Sequence, residues 1–136
     1  MTQIPVEVVD RWRRIRAIAA DRQAIARAAE AARNGAISER TIATEALRQL
    51  LNPAPGTARA HLLGTAHDRT LRERQAEAEA AARKRVTAAE AAVAAADRAH
   101  VTASDAYGRA GALMTACRDA LTERFGVTRA HVEDEL

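Results

Sequence analysis

Apolar residues recur along this chain every three or four positions, which is the spacing of one face of an α-helix. The clearest stripe lies in the C-terminal half, runs without a break and contains no Asp, Glu, Lys or Arg. Its members are Val86, Ala89, Val93, Ala96, His100, Ala103, Tyr107, Ala110, Met114, Cys117 and Leu121. About five heptads of this kind are typical of a coiled-coil seam, so we expect this stripe to pack against another helix.

A second helical stripe begins near the N-terminus. Pro5 suits the first position of a helix, because its missing N–H costs nothing there. The stripe includes the aliphatic stem of one arginine, and its members are Val8, Trp12, Ile15, Ile18, Arg22, Ile25, Ala29 and Ala32. Asn34-Gly35 is a stop signal, since glycine readily adopts the left-handed conformation of a C-cap. The pattern predicts a first helix over residues 5–34.

The middle of the chain, residues 35–64, predicts short helices and a loop. Ser38 or Thr41 is suited to cap a short helix that ends at Leu51. Two prolines and a glycine follow within the five residues Asn52–Gly56, and they predict a firm loop.

A second long helix is predicted over residues 65–125. Thr65 and Asp68 fit a capping box, in which a hydroxyl is followed three residues later by a carboxylate. No proline interrupts the rest of this span. We therefore expect one helix of roughly 90 Å, at about 1.5 Å per residue.

The tail, residues 126–136, begins with Gly126, which should end the long helix, and Thr128 can cap a last short helix. The predicted fold class is all-α. It is a long alanine-rich helical hairpin or coiled coil with a small helical segment between the long helices, in a single domain over residues 1–136.

A row of small residues runs beside the seam at a spacing of four: Ser104, Gly108, Ala112, Ala116 and Ala120. Glycine inside a helix costs about 1 kcal/mol relative to alanine, so close packing of another helix at Gly108 is the favoured explanation. A hinge at Gly108 and Gly111 is the alternative. The predicted interface with another chain is Val86, Val93, His100, Tyr107, Met114 and Leu121, with Gly108 as the point of closest approach.

The composition indicates a thin hydrophobic core. The chain has 36 Ala, 20 Arg and a single Lys, and its only aromatic residues are Trp12, Tyr107 and Phe125. Burial of alanine contributes little beside the roughly 1.5–3 kcal/mol of a leucine or phenylalanine. A monomer would therefore struggle to offset its conformational entropy, and association with other copies or another helical protein is expected.

The residues that usually carry catalysis or bind metals do not form a recognisable pattern. Cys117 is the only cysteine, and the Glu-x-x-His pairs of metal-binding helical bundles are missing. The sequence also lacks a glycine-rich phosphate loop and a nucleophile elbow. We expect no enzymatic activity, no cofactor and no metal site.

The sequence also bears on location. The longest apolar run, Ala91–Ala96, is far shorter than a membrane span, and the chain start does not resemble a signal peptide. The cytoplasm of a bacterium is therefore the expected location, with no membrane partner. The preference for arginine and alanine over lysine and asparagine is typical of a GC-rich bacterial or phage genome, so a virion is a second candidate.

Four arginines surround Trp12 and could contact a nucleic acid or an acidic partner: Arg11, Arg13, Arg14 and Arg16. The simpler explanation is a solvated helix face on which Asp10 pairs with Arg14. Arg59 joins the candidates if residues 41–62 form a helix-turn-helix, although the intervening loop is long and rich in proline.

These patterns favour a non-enzymatic structural or adaptor protein that acts by helix–helix self-assembly or partner binding, with a phage or bacterial assembly component as one setting. The alternative is a nucleic-acid-binding protein that dimerises through the coiled coil and makes contacts through its N-terminal arginines. A regulator that neutralises another protein is a third class, which the sequence does not separate from the first.

Overall fold

The computed structural model describes residues 3–52, 69–134 and 136. Their regular structure is entirely helical. Helix α1 covers Val6–Leu51, α2 covers Arg69–Phe125 and α3 covers Arg129–Asp134. The predicted all-α fold with two long helices is confirmed. Most of the predicted loop, Arg59 and the predicted capping box lie outside the described residues.

Helix α1 begins one residue after the predicted start. The backbone carbonyl of Pro5 accepts hydrogen bonds from the amides of Val8, at 3.0 Å, and Val9, at 3.2 Å. Pro5 therefore stands just before the first helical residue, where its missing N–H leaves no bond unmade.

The predicted helix end at Asn34-Gly35 is wrong, because α1 continues through both residues to Leu51. Gly35 does not adopt the positive φ of a C-cap; among the described glycines only Gly126 does. A glycine inside a helix costs about 1 kcal/mol. Packing of the following residues against α2 offsets that cost, so the expected separate short helix ending at Leu51 is the last part of α1.

The described contacts divide the chain into two compact units. Unit 1 comprises Met1–Glu30 and Arg98–Leu136, and unit 2 comprises Ala31–Asp97. In each unit a segment of α1 packs antiparallel to a segment of α2.

Unit 2 is held together by small side chains with polar contacts at their edges. Ala43, Ala89 and Val93 are buried. Arg33 pairs with Asp97, and a guanidinium nitrogen of Arg85 lies 2.8 Å from a carboxylate oxygen of Glu39. Near the other end of the unit, the side-chain amide of Gln75 donates to the backbone carbonyl of Leu50 at 3.2 Å. Half-exposed ion pairs of this kind contribute about 0.2–1 kcal/mol each, so they orient the helices more than they stabilise them.

Unit 1 contains the larger core. Trp12, Leu121 and Val132 are buried together. The indole N–H of Trp12 donates to the backbone carbonyl of Val132 at 3.2 Å, which satisfies the only polar atom of the ring. Partly buried apolar residues surround this cluster: Ile4, Val8, Met114, Cys117, Phe125, Val127 and Leu136.

A glycine turn brings α3 back onto this core. Gly126 has a φ of 66°, and its amide donates to the carbonyl of Thr122 at 2.9 Å. The hydroxyl oxygen of Thr128 then accepts the amide of His131 at 3.2 Å and so caps α3. The predicted helix stop at Gly126 and cap at Thr128 are confirmed. Together they place Val132 against Trp12.

We predict opposite effects of alanine at two glycines. A Cβ at Gly35 would meet no atom within 4 Å, so Gly35→Ala should raise the free energy of unfolding by about 0.5–1 kcal/mol. Gly126→Ala should lower it by about 1–2 kcal/mol, because alanine resists a positive φ. Urea unfolding followed by circular dichroism measures both changes. Destabilisation by Gly35→Ala would show that α1 is not continuous at this position in solution.

Candidate interaction surfaces

In unit 2 the predicted seam lies on the face of α2 that packs against α1. Val86 is half-buried and Val93 is buried. Another chain would reach Val93 only by displacing α1 from it. The expected contact of these residues with another chain stays a prediction.

In unit 1 the seam residues are buried to different degrees. Leu121 belongs to the Trp12 core, and Met114 packs against that core. His100 is half-buried, and its Nδ1 atom has no hydrogen-bond partner among the described residues. Of these four residues only Tyr107 is exposed, and its exposed fraction is 38%.

The expected point of close approach, Gly108, lies on open surface. A Cβ there would meet no atom within 4 Å, and the neighbouring small residues Ala112 and Ala116 are exposed as well. No described residue packs closely at Gly108. Its close approach to another helix stays a prediction.

The N-terminal arginines do not share one face of α1. Successive helical residues are about 100° apart, so Arg11 and Arg13 point roughly 200° apart. Arg13 donates through Nε to the backbone oxygen of Leu136 at 3.0 Å, and the guanidinium of Arg16 lies 5.8 Å from the centre of the Trp12 ring. Two of the four arginines therefore make contacts within unit 1.

A charged cluster fastens α3 to α2. Arg118 is only 13% exposed, and its Nη1 donates to a carboxylate oxygen of Glu133 at 2.8 Å. Arg129 donates to the same oxygen at 3.1 Å. The Nε of Arg118 lies 3.7 Å from Asp119, which is close enough for an ion pair but too far for a hydrogen bond. The hydrogen bond from Arg129, followed by that from Arg118, lowers the pKa of Glu133 below its ordinary value.

The apolar stripe expected along α1 coincides with its buried face near Trp12 but departs from it between residues 18 and 26. Ala19 is 5% exposed, and Gln23 and Ala26 are half-buried, whereas Ile18 and Ile25 are 52% and 48% exposed. Alanines occupy the contact with α2, and the isoleucines stand at its edge. An apolar pattern alone missed this distinction because it assigns the larger residues to the core.

One flank of unit 1 carries two clefts between α1 and α2. The first is about 380 Å³ and is lined by Arg22, Ile25, Arg98, Ala99, Thr102, Ala103 and Ala106. The second is about 310 Å³ and is lined by Val8, Arg11, Ile15, Leu113, Cys117, Ala120, Leu121, Arg124 and Phe125.

The clefts belong to the same side of both helices. On α1 the spacing of 11, 15, 18, 22 and 25 places their residues on one stripe, and Ile18 lies on that stripe between the clefts. On α2 the positions 99, 102, 106, 113, 117, 120 and 124 keep the same three-and-four spacing, apart from one gap around residues 109–110. Leu113, which no predicted stripe included, is 56% exposed here. We call this flank the outer groove, and its exposed apolar residues are Ile18, Ile25 and Leu113.

Within the described ranges, no helix combines the length and the hydropathy required to cross a membrane. In the same residues, no three side chains of His, Cys, Asp or Glu are gathered where they could hold a metal ion.

Comparison with models of known protein families, with curated proteins and with solved structures found no match to this chain.

The ion pairs of Glu133 predict a pH dependence of unit 1. Because its pKa is lowered in the folded state, the carboxylate stabilises the fold above its ordinary pKa of 4.5, and this contribution is lost as the pH falls through the lowered value. The difference in stability between the wild type and Glu133→Gln should shrink between about pH 6 and pH 3. Fluorescence of Trp12, the only tryptophan, measures unfolding beside α3.

Glu45→Gln is the matched control. The pKa of Glu45 is also lowered, chiefly by its hydrogen bond from Arg48, but this pair lies within α1 in unit 2. It should not alter the fluorescence of folded Trp12. A stability difference for Glu133→Gln that stays constant with pH would contradict the ion-pair role of Glu133.

Proposed function

We propose that this protein is a non-enzymatic adaptor or structural protein that acts through helix–helix association at the outer groove of unit 1. The observation that supports this proposal is the arrangement of α1 between residues 18 and 26, with Ala19 inside and Ile18 and Ile25 outside. Large apolar side chains on one surface flank are typical of a protein–protein contact.

The exposed apolar residues of the outer groove would contribute to association. Full burial of an Ile or Leu side chain contributes about 1.5–3 kcal/mol, so covering the exposed half of each contributes about 1 kcal/mol. Ile18, Ile25 and Leu113 together would contribute roughly 3 kcal/mol before other contacts are counted. Because the alanine contacts within the chain contribute little, a bound partner would also stabilise the folded state.

The arginine arrangement gives less support to the nucleic-acid alternative. A phosphate backbone is best met by arginines on one face, but Arg11 and Arg13 diverge, and Arg13 and Arg16 have partners within unit 1. The cytoplasmic, virion and phage-assembly settings stay predictions.

The test replaces exposed apolar residues by charge. Substitution of Val93 would not separate association from folding, because Val93 is buried. The double variant Ile18→Asp/Leu113→Asp should keep its helicity and weaken association by at least about 2 kcal/mol. Light scattering after size exclusion measures the mass of the species that contains the chain. It is applied to the pure protein and to complexes formed in extract of its host.

The control is Ile42→Asp/Val101→Asp, which makes the same kinds of change at residues that are 55% and 57% exposed and line neither cleft of the outer groove. It should leave the assembly intact. A wild-type chain that remains at its monomer mass of 14.6 kDa, both alone and in host extract, would contradict the proposed function.

A further inference from the structure

We propose that the outer groove binds an acidic amphipathic helix of another protein. This inference rests on the adaptor function proposed above and deepens it by specifying the chemistry of the partner.

The dimensions of the groove fit a helix. Its lining on α1 extends from Val8 to Ile25, which is about 18 residues or roughly 26 Å at 1.5 Å per residue. The walls combine large residues, Ile15 and Leu113, with small ones such as Ala99 and Ala106. Small residues let a third helix lie close to α2, while the large residues pack against its apolar stripe.

Charge determines which helix fits. Arg22 and Arg98 line one cleft, and Arg11 and Arg124 line the other. None of these four arginines forms an ion pair with a described residue, and no carboxylate among the described residues lines either cleft. The guanidinium of Arg124 also lies 5.6 Å from the centre of the Phe125 ring, a contact that leaves its charge without a carboxylate. A helix with glutamate or aspartate on both sides of an apolar stripe would place carboxylates beside these arginines, which are suited to pair with them.

The same charges disfavour two other occupants. A second copy that docked symmetrically through this groove would bring arginine against arginine, because a two-fold interface joins the same patch on both subunits. A nucleic acid would pair with the arginines but would leave Ile15, Ile25 and Leu113 without apolar contacts.

The experiment uses the full chain and two synthetic peptides of 18 residues. Both peptides carry leucine at three-and-four spacing. One has glutamate and the other lysine at the flanking positions, and each has a fluorescent label. Fluorescence anisotropy should show binding of the glutamate peptide that weakens about tenfold between 0.05 and 0.5 M salt, and at least about tenfold weaker binding of the lysine peptide.

Charge reversal tests the site itself. The variant Arg22→Glu/Arg98→Glu should weaken binding of the glutamate peptide at least about tenfold and strengthen binding of the lysine peptide. The control Arg14→Glu/Arg27→Glu makes the same charge change at exposed positions that line neither cleft, and should alter both affinities less than about threefold. Helicity and Trp12 fluorescence confirm that each variant is folded.

Each contrary outcome has a definite meaning. Equal binding of the two peptides, or equal effects of the two double variants, would overturn the inference. So would loss of peptide binding as the chain self-associates at higher concentration, which would assign the groove to a second copy, or displacement of the peptide by a short DNA duplex. If neither peptide binds while the wild type forms an assembly that Ile18→Asp/Leu113→Asp dissolves, the inference fails and the proposed function stands.

Discussion

Contact between alanine-lined faces of the two long helices is the constraint on which the other features depend. Ala19 and Ala103 are buried in unit 1, and Ala43 and Ala89 are buried in unit 2. Because a methyl group allows helix backbones to approach closely, this contact has little room for larger side chains. Large apolar residues therefore collect in the Trp12 core, where α3 widens the packing, or at the edge of the helix pair. The outer groove and the thin core are two results of the same packing.

Much of the architecture could be predicted from the sequence. The uncharged stripe from Val86 to Leu121 predicted a packing face of α2, and most of its members are at least partly buried in the structure. Helix continuity at Asn34-Gly35 could not be predicted from the local signal, because contacts distant in sequence decide it. Arg33 and Glu39 contact residues that lie 64 and 46 positions away. A local stop signal contains no information about such contacts.

The outer groove could be predicted from the sequence only in part. The isoleucines of α1 were recognised as a stripe, but hydrophobicity ranks Ile18 above Ala19 and so assigns the wrong residue to the core. A clue was present in the spacing of 11, 15, 18, 22 and 25, which carries an arginine at two of its five positions. The pairing of Arg22 with Arg98 across one cleft required the fold, because these residues come from different helices.

The ion pairs of unit 2 have a consequence for how the helices are aligned. Alanine repeats every seven residues on both sides of the contact, at Ala36 and Ala43 on α1 and at Ala82, Ala89 and Ala96 on α2. If one helix slid by seven residues, alanine would still meet alanine, so the apolar contact alone leaves several alignments close in energy. The links Arg33–Asp97, Glu39–Arg85 and Leu50–Gln75 would all break at once in such a slide. Within unit 2, these weak surface contacts together select one alignment of the helices, because the alanine contact alone distinguishes poorly between alignments.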